Sequence, residues 1–256
     1  MDWLKFLIAA SLLPIFPFSL IFNRVISWAP AYWVQAAAVV ALPQVGIRLA
    51  TSLPGSQLSL LHSRAWLALV MLTAVFYGFR ALSVRDVTIW ARLMATSGLT
   101  LAWVLRAPLT ATRGMSAAAL AWSVPTALVM ILAGLLARRA GGAYLGLQGG
   151  LATVLPRLSG LLTLSALAVV ATPVFPSFFA LIHVFSAVSL PWIWPLLLVL
   201  LIWGWSVGNF LQELLFGGYH GETMRDLSIL GASVGAVALG LFALSGLLWS
   251  GVWIGI

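Results

Sequence analysis

Apolar positions along the chain fall into long runs, and single arginines, short polar turns and prolines punctuate them. A helix needs about 20 mostly apolar residues to cross the hydrocarbon of a bilayer. Reading the runs between charges predicts eight spans: Trp3–Ile21, Ala31–Ala50, Trp66–Phe79, Leu93–Leu105, Met115–Ala137, Leu158–Val188, Pro195–Phe216 and Leu227–Ile254. The third and fourth reach spanning length only when neighbouring Leu, Ser and Thr residues are counted in. The sixth is too long for one straight helix and contains "ATPVFPSFF", with Pro173 and Pro176 three apart. Each proline removes a backbone donor and pushes the residue before it out of the helical region, so a break is expected here. Two arrangements satisfy the sequence: a kink packed against neighbouring helices, or an unwound stretch facing protein or a water-filled cavity.

Composition puts these runs in lipid. The 256 residues are 62% hydrophobic and only 7% charged, too few to coat a water-soluble globule. The formal charge of +8 comes almost entirely from arginines spaced between apolar runs. That spacing reads as anchoring at headgroups, and with no basic cluster interleaved with aromatics it excludes nucleic acid as a partner. Eight spans put Arg24, Arg80, Arg85, Arg92, Arg138, Arg139, Arg157 and Arg225 on one side, and Lys5, Arg48, Arg64, Arg106 and Arg113 on the other. The richer side is expected to be cytoplasmic, which leaves both termini of a plasma-membrane (inner-membrane) protein outside. Trp28, Trp33, Trp66, Trp192, Trp194, Trp249 and Trp253 sit near span ends, as an interfacial belt requires. No linker or low-complexity tract divides residues 1–256, so a single polytopic all-α membrane domain is expected.

Candidate chemistry is sparse. With no cysteine there is no thiolate ligand and no disulfide. Asp2, Asp86, Glu213, Glu222 and Asp226 are the only acids, all in or beside turns, so no buried carboxylate pair is available for acid–base catalysis. "GYHGET" offers His220 and Glu222, too few groups for a metal site, and His62 lies in a polar loop. No catalytic residue, metal site or cofactor is expected. Three polar side chains within spans are the ion-path candidates: Gln44, Arg48 and His183. An ionisable group inside a membrane is costly and carries a functional hypothesis by default. Gln44 and Arg48 are one turn apart beside Pro43; the arginine reaches the interface, but the glutamine requires a partner within the bundle. His183 comes after the double-proline break, where a break carbonyl could hold it.

Several landmarks resemble one family. "LLPIFPFSLIFNRVISWAP" is similar to the stretch K-x-P-L-F-P-F-H-x-W-L-P-x-A-H-x-x-A-P of the antiporter-like subunits found in respiratory complex I, membrane-bound hydrogenases and Mrp-type antiporters. It keeps Pro14, Phe16-Pro17-Phe18 and Ala29-Pro30 at the same spacing. "FYGFRALSVRD", "ARLMATSG", "LAWSVPTALVMILAG" and "GGLATVLPRLSGLLTLSALAVVATPVFPSFFALIHVF" come next in the family's order, and the last span continues the match to the end. The resemblance covers the C-terminal half of such a subunit. It implies inverted helix repeats with two discontinuous helices, one broken at Pro14 and Pro17 and the other at Pro173 and Pro176. The departures fall on the proton path. The family's lysines and histidines fall on Leu12, Ser19, Gln44, Ala91 and Trp122, and its glutamate or lysine on the second broken helix falls on Leu181. Leucine, alanine and tryptophan cannot relay protons. The resemblance and its departures together imply a structural or coupling role inside a larger ion-linked complex, with a larger membrane subunit and the bilayer as partners. The alternatives are a proton- or cation-conducting half completed by a partner chain, or the membrane subunit of an energy-coupled inorganic-carbon (DAB-type) transporter.

Overall fold

The computed structural model describes residues 2–53, 63–105, 111–146, 149–217 and 224–254. Within them the chain forms α1 (Asp2–Leu12), α2 (Ser19–Trp28), α3 (Tyr32–Thr51), α4 (Arg64–Leu82), α5 (Val87–Leu101), α6 (Ala111–Ala140), α7 (Leu151–Val154), α8 (Pro156–Val169), α9 (Pro176–Ala187), α10 (Leu190–Leu215), α11 (Ile229–Leu248) and α12 (Ser250–Ile254). A 3-10 turn, Ala102–Leu105, extends α5. Among the described residues six helices are long and apolar enough to cross a membrane: α3, α4, α5 with its extension, α6, α10 and α11. The two remaining predicted crossings are the proline-interrupted pairs α1/α2 and α8/α9, so the chain is an all-α, multi-pass membrane fold.

Both interruptions lie where the prolines put them. The helix of α1 ends at Leu12 and resumes at Ser19, past Pro14 and a cis Phe16–Pro17 bond. In the second, α8 ends at Val169 and Pro176 opens α9 at a position where a missing N–H costs nothing. Between them Ala171 and Val174 have φ of 59° and 99°, conformations that L-residues seldom adopt. The second break is therefore an unwound stretch and not a kink in a continuous helix. By contrast Pro43, Pro125 and Pro195 lie inside helices that continue through them.

The long helix α6 is the centre of the bundle, packed against α3 and α5 and, on another side, against α8 and α9. Close approach is made by small residues: a Cβ on Gly46 of α3 would lie 2.7 Å from the backbone nitrogen of Leu13, so α3 sits directly on the first break. The loops at one end are tied together. Leu145 N–H donates to the Arg85 carbonyl at 2.7 Å, Gly150 N–H to Phe216 at 3.0 Å, and Arg157 N–H to the Asp226 carboxylate at 2.9 Å. The arginine-rich side read from the sequence is thus one physical end of the bundle.

Tryptophan is where the expectation needs correction. Trp28, Trp33, Trp194 and Trp249 are exposed as belt residues should be. Trp66 instead packs between Phe6 and Trp103, at ring-centre distances of 5.6 and 5.3 Å. Trp90, Trp103, Trp122 and Trp203 are fully buried. An indole offers a large apolar body with one N–H donor, and Trp90, Trp103 and Trp203 use theirs inside the bundle, on Ser206, the Leu13 carbonyl and Ser97.

Candidate functional site

A break in a membrane helix exposes backbone groups that lipid cannot satisfy, so the residues that satisfy them define the site. At the first break the Leu13 carbonyl accepts the indole N–H of Trp103 at 3.0 Å, and the Pro14 carbonyl accepts the Thr100 hydroxyl at 2.7 Å. The Phe16 N–H donates to Thr73 Oγ1 at 3.2 Å. One turn on, Ser19 Oγ and Tyr77 OH are 2.9 Å apart, and Asn23 Nδ2 donates to the Ser19 carbonyl at 2.9 Å and to Thr96 Oγ1 at 3.1 Å. Beyond them the Trp203 indole donates to Ser97 Oγ, which donates to the Ala74 carbonyl. The sequence reading missed this ring of Thr73, Thr96, Ser97, Thr100, Trp103 and Trp203. Each is an ordinary residue in an apolar run, and only the folded arrangement points Thr73, Thr100 and Trp103 at the break and sets Thr96, Ser97 and Trp203 beyond them. At the second break local groups serve: Thr172 Oγ1 donates to the Leu167 carbonyl at 2.8 Å and Ser177 Oγ to that of Ala168.

All three ion-path candidates are among the described residues, and the fold keeps His183 apart from Gln44 and Arg48. Gln44 has the partner it needs: its Nε2 donates to the Ser116 carbonyl of α6 at 3.3 Å, and the Ser116 hydroxyl donates to Gln44 Oε1. Arg48 is exposed one turn further along α3. His183 lies two turns into α9 with Cε1 against the backbone of α6, where a Cβ on Gly114 would meet it at 2.9 Å. A hydrogen bond from His183 to a break carbonyl was expected, but its buried Nδ1 has no partner among the described residues. Gly114 and Ser116 are two residues apart, so they face nearly opposite sides of α6. That helix stands between Gln44 and His183.

The other relay positions are filled by packing. Ala91 and Trp122 are buried, and Trp122 lies across Gly98 with its ring centre 6.3 Å from that of Trp203. Leu181 is buried, and Ser19 makes the bond to Tyr77 already described. The acids serve as caps: Asp86 accepts from Thr88 and Ile89 N–H at the start of α5, and Asp226 caps α8 from across the loop. Glu213 lines a cavity of about 270 Å³ at the arginine-rich end, with Ser83, Arg85, Ser206 and Asn209. Among the described residues no three His or acidic side chains gather to hold a metal. His62, His220 and Glu222 lie outside the described residues.

No protein-family model and no curated protein matches the chain. Solved structures do. A chain of respiratory complex I from Thermus thermophilus superposes with a TM-score of 0.77 at 18% identity, over 99% of this chain and 57% of that one. A chain of the membrane-bound sulfane sulfur reductase, an archaeal respiratory membrane complex, gives 0.82 at 16% identity over 96% and 53%. One from the Mrp complex of Dietzia sp. DQ12-45-1b gives 0.77 at 14% identity over 96% and 56%. The chain spans little more than half the length of each. It has the fold of half of an antiporter-like membrane subunit, with neutral side chains around its first helix break.

Proposed function

We propose that this protein is a structural or coupling membrane subunit of a larger ion-linked complex, and that it does not itself carry the ion. The observation behind this reading is the first break, where the expected proton carriers are replaced by Leu12 and Ser19 and neutral side chains hold the freed backbone groups: Trp103 and Thr100 donate to carbonyls, and Thr73 accepts from the Phe16 N–H. A relay needs groups that gain and lose protons near neutral pH. Indole and aliphatic hydroxyl groups do neither. The polar candidates that remain, Gln44 bonded to Ser116 and His183 across α6, share no hydrogen bond. The fold supports membership of a complex, since the similar chains come from a respiratory complex, a membrane-bound reductase and an Mrp complex. On this reading the arginine-rich end is cytoplasmic, in the plasma membrane of the cell.

Ion flux tests it. In vesicles containing the purified parent complex and a pH-sensitive dye, His183→Ala and Gln44→Leu are expected to leave flux within a few-fold of wild type. Assembly is checked in each, because Gln44→Leu also removes the bonds to Ser116. Loss of flux from His183→Ala in a fully assembled complex would establish a conducting half-subunit completed by its partner.

A further inference from the structure

The two broken helices differ in what covers them. Behind the second stands α11: a Cβ on Gly246 would lie 2.6 Å from the Val174 carbonyl oxygen and 2.9 Å from the Pro176 nitrogen. Phe175 stacks on Phe242 of the same helix, with ring centres 6.3 Å apart. A glycine thus lets a whole helix lie against unwound backbone. The first break has such support on its inner side only. Leu13, Pro14 and Ile15 are buried, but Phe16 is 41% exposed, Pro17 is exposed, and the Phe16 carbonyl takes no hydrogen bond from any described residue. The open side continues along α2 as a shallow apolar face formed by Leu20, Ile21, Val25 and Trp28. Arg24 is its one charge. The guanidinium lies 5.6 Å from the Trp28 ring centre, with no carboxylate partner among the described residues.

Lipid is a poor cover for the break end of this face. Unwound backbone at membrane depth persists where protein or water covers it, and acyl chains offer the Phe16 carbonyl no donor. We propose that a transmembrane helix of a second protein docks along α2. It places a small, hydroxyl-bearing residue on the Phe16–Pro17 break and a carboxylate opposite Arg24. From Pro17 to Arg24 is seven residues, roughly 10 Å along a helix, so the two features lie about two turns apart on the partner as well. The inference rests on the subunit reading above and adds the face, the contact and the partner's chemistry.

Photocrosslinking in the native membrane tests it, with benzoylphenylalanine in place of Leu20 or Val25 on α2 and, as a control, of Val237 on the exposed face of α11. The α2 positions are expected to give one discrete adduct, mapped by mass spectrometry to an acid-bearing membrane helix of another protein. Val237 is expected to give lipid adducts. Arg24→Ala, checked for unchanged thermal stability, should reduce the Val25 adduct at least fivefold, and Arg24→Lys should restore part of it. Lipid adducts from α2, an adduct within the same polypeptide or to a second copy, or an adduct indifferent to Arg24→Ala would each overturn the proposal. If a membrane subunit co-purifies while α2 gives only lipid adducts, the docking face is wrong and the subunit reading stands. If nothing co-purifies and nothing crosslinks, both fail.

Discussion

At the scale of single residues, the fold depends on where a few neutral polar atoms point. Trp103 and Trp122 are both buried tryptophans, yet only Trp103 has its N–H in use, on the Leu13 carbonyl; the Trp122 Nε1 has no partner among the described residues. Replacing either with phenylalanine removes similar ring volume, so comparing the two isolates the hydrogen bond. A buried carbonyl stripped of its donor costs about 1–3 kcal/mol. Trp103→Phe is therefore expected to melt several degrees lower in detergent than Trp122→Phe, tracked by intrinsic fluorescence or dye binding. Equal melting temperatures would show that the indole contributes packing alone. Sequence made some of this legible. Gln44 in an apolar run announces that it needs a partner, and Ser116 provides it. The roles of Trp103, Thr100 and Thr73 were not legible, because serine, threonine and tryptophan are common in membrane helices. Their meaning comes from residues up to 90 positions away along the chain.

Helices and their interruptions were the most legible level. Proline leaves a local and unambiguous mark, and run lengths near 20 residues identify the rest. Which faces meet was less so, because in a bundle apolar on all sides hydrophobic periodicity does not separate core from lipid. Thus α5 is buried almost throughout, whereas α11, a more apolar run, buries only Leu239 and Gly246. Close approach is decided by small residues instead. Gly46 lets α3 reach the Leu13 backbone, and nothing lies within 4 Å of where a Cβ on Gly240 of α11 would stand. Gly46→Val is expected to abolish monodisperse protein on gel filtration, and Gly240→Val to leave it unchanged. Similar profiles for the two variants would mean that α3 can re-dock without that contact.

The whole molecule is polarised. Arg85, Leu145, Gly150, Phe216 and Asp226 gather at one end through the loop contacts described above, whereas Trp66 meets Phe6 and Trp103 toward the other. With no native cysteine, single cysteines report sidedness cleanly. Ser83 at the end of α4 and Ser52 at the end of α3 are both exposed, at opposite ends of the bundle. A membrane-impermeant maleimide applied to intact cells is expected to label Ser52→Cys, and to reach Ser83→Cys only once the membrane is opened. The reverse pattern would invert the orientation inferred from arginine counts. Sequence indicated this polarity through charge alone. It could not show that one flank of α2 stays bare, since lipid-facing and partner-facing leucines are the same residue.

The neutral character of the first break has an electrical consequence. Moving one elementary charge through a membrane potential of 100 mV changes its energy by about 2.3 kcal/mol, which is how voltage shifts the conformations of membrane proteins. Around Leu13, Pro14 and Phe16 every side-chain partner among the described residues is an indole or a hydroxyl. The field has no charge there to pull on. On the proposed structural role, this frame is expected to keep its shape as the membrane charges and discharges, and to give a neighbouring subunit that does move charge something fixed to work against.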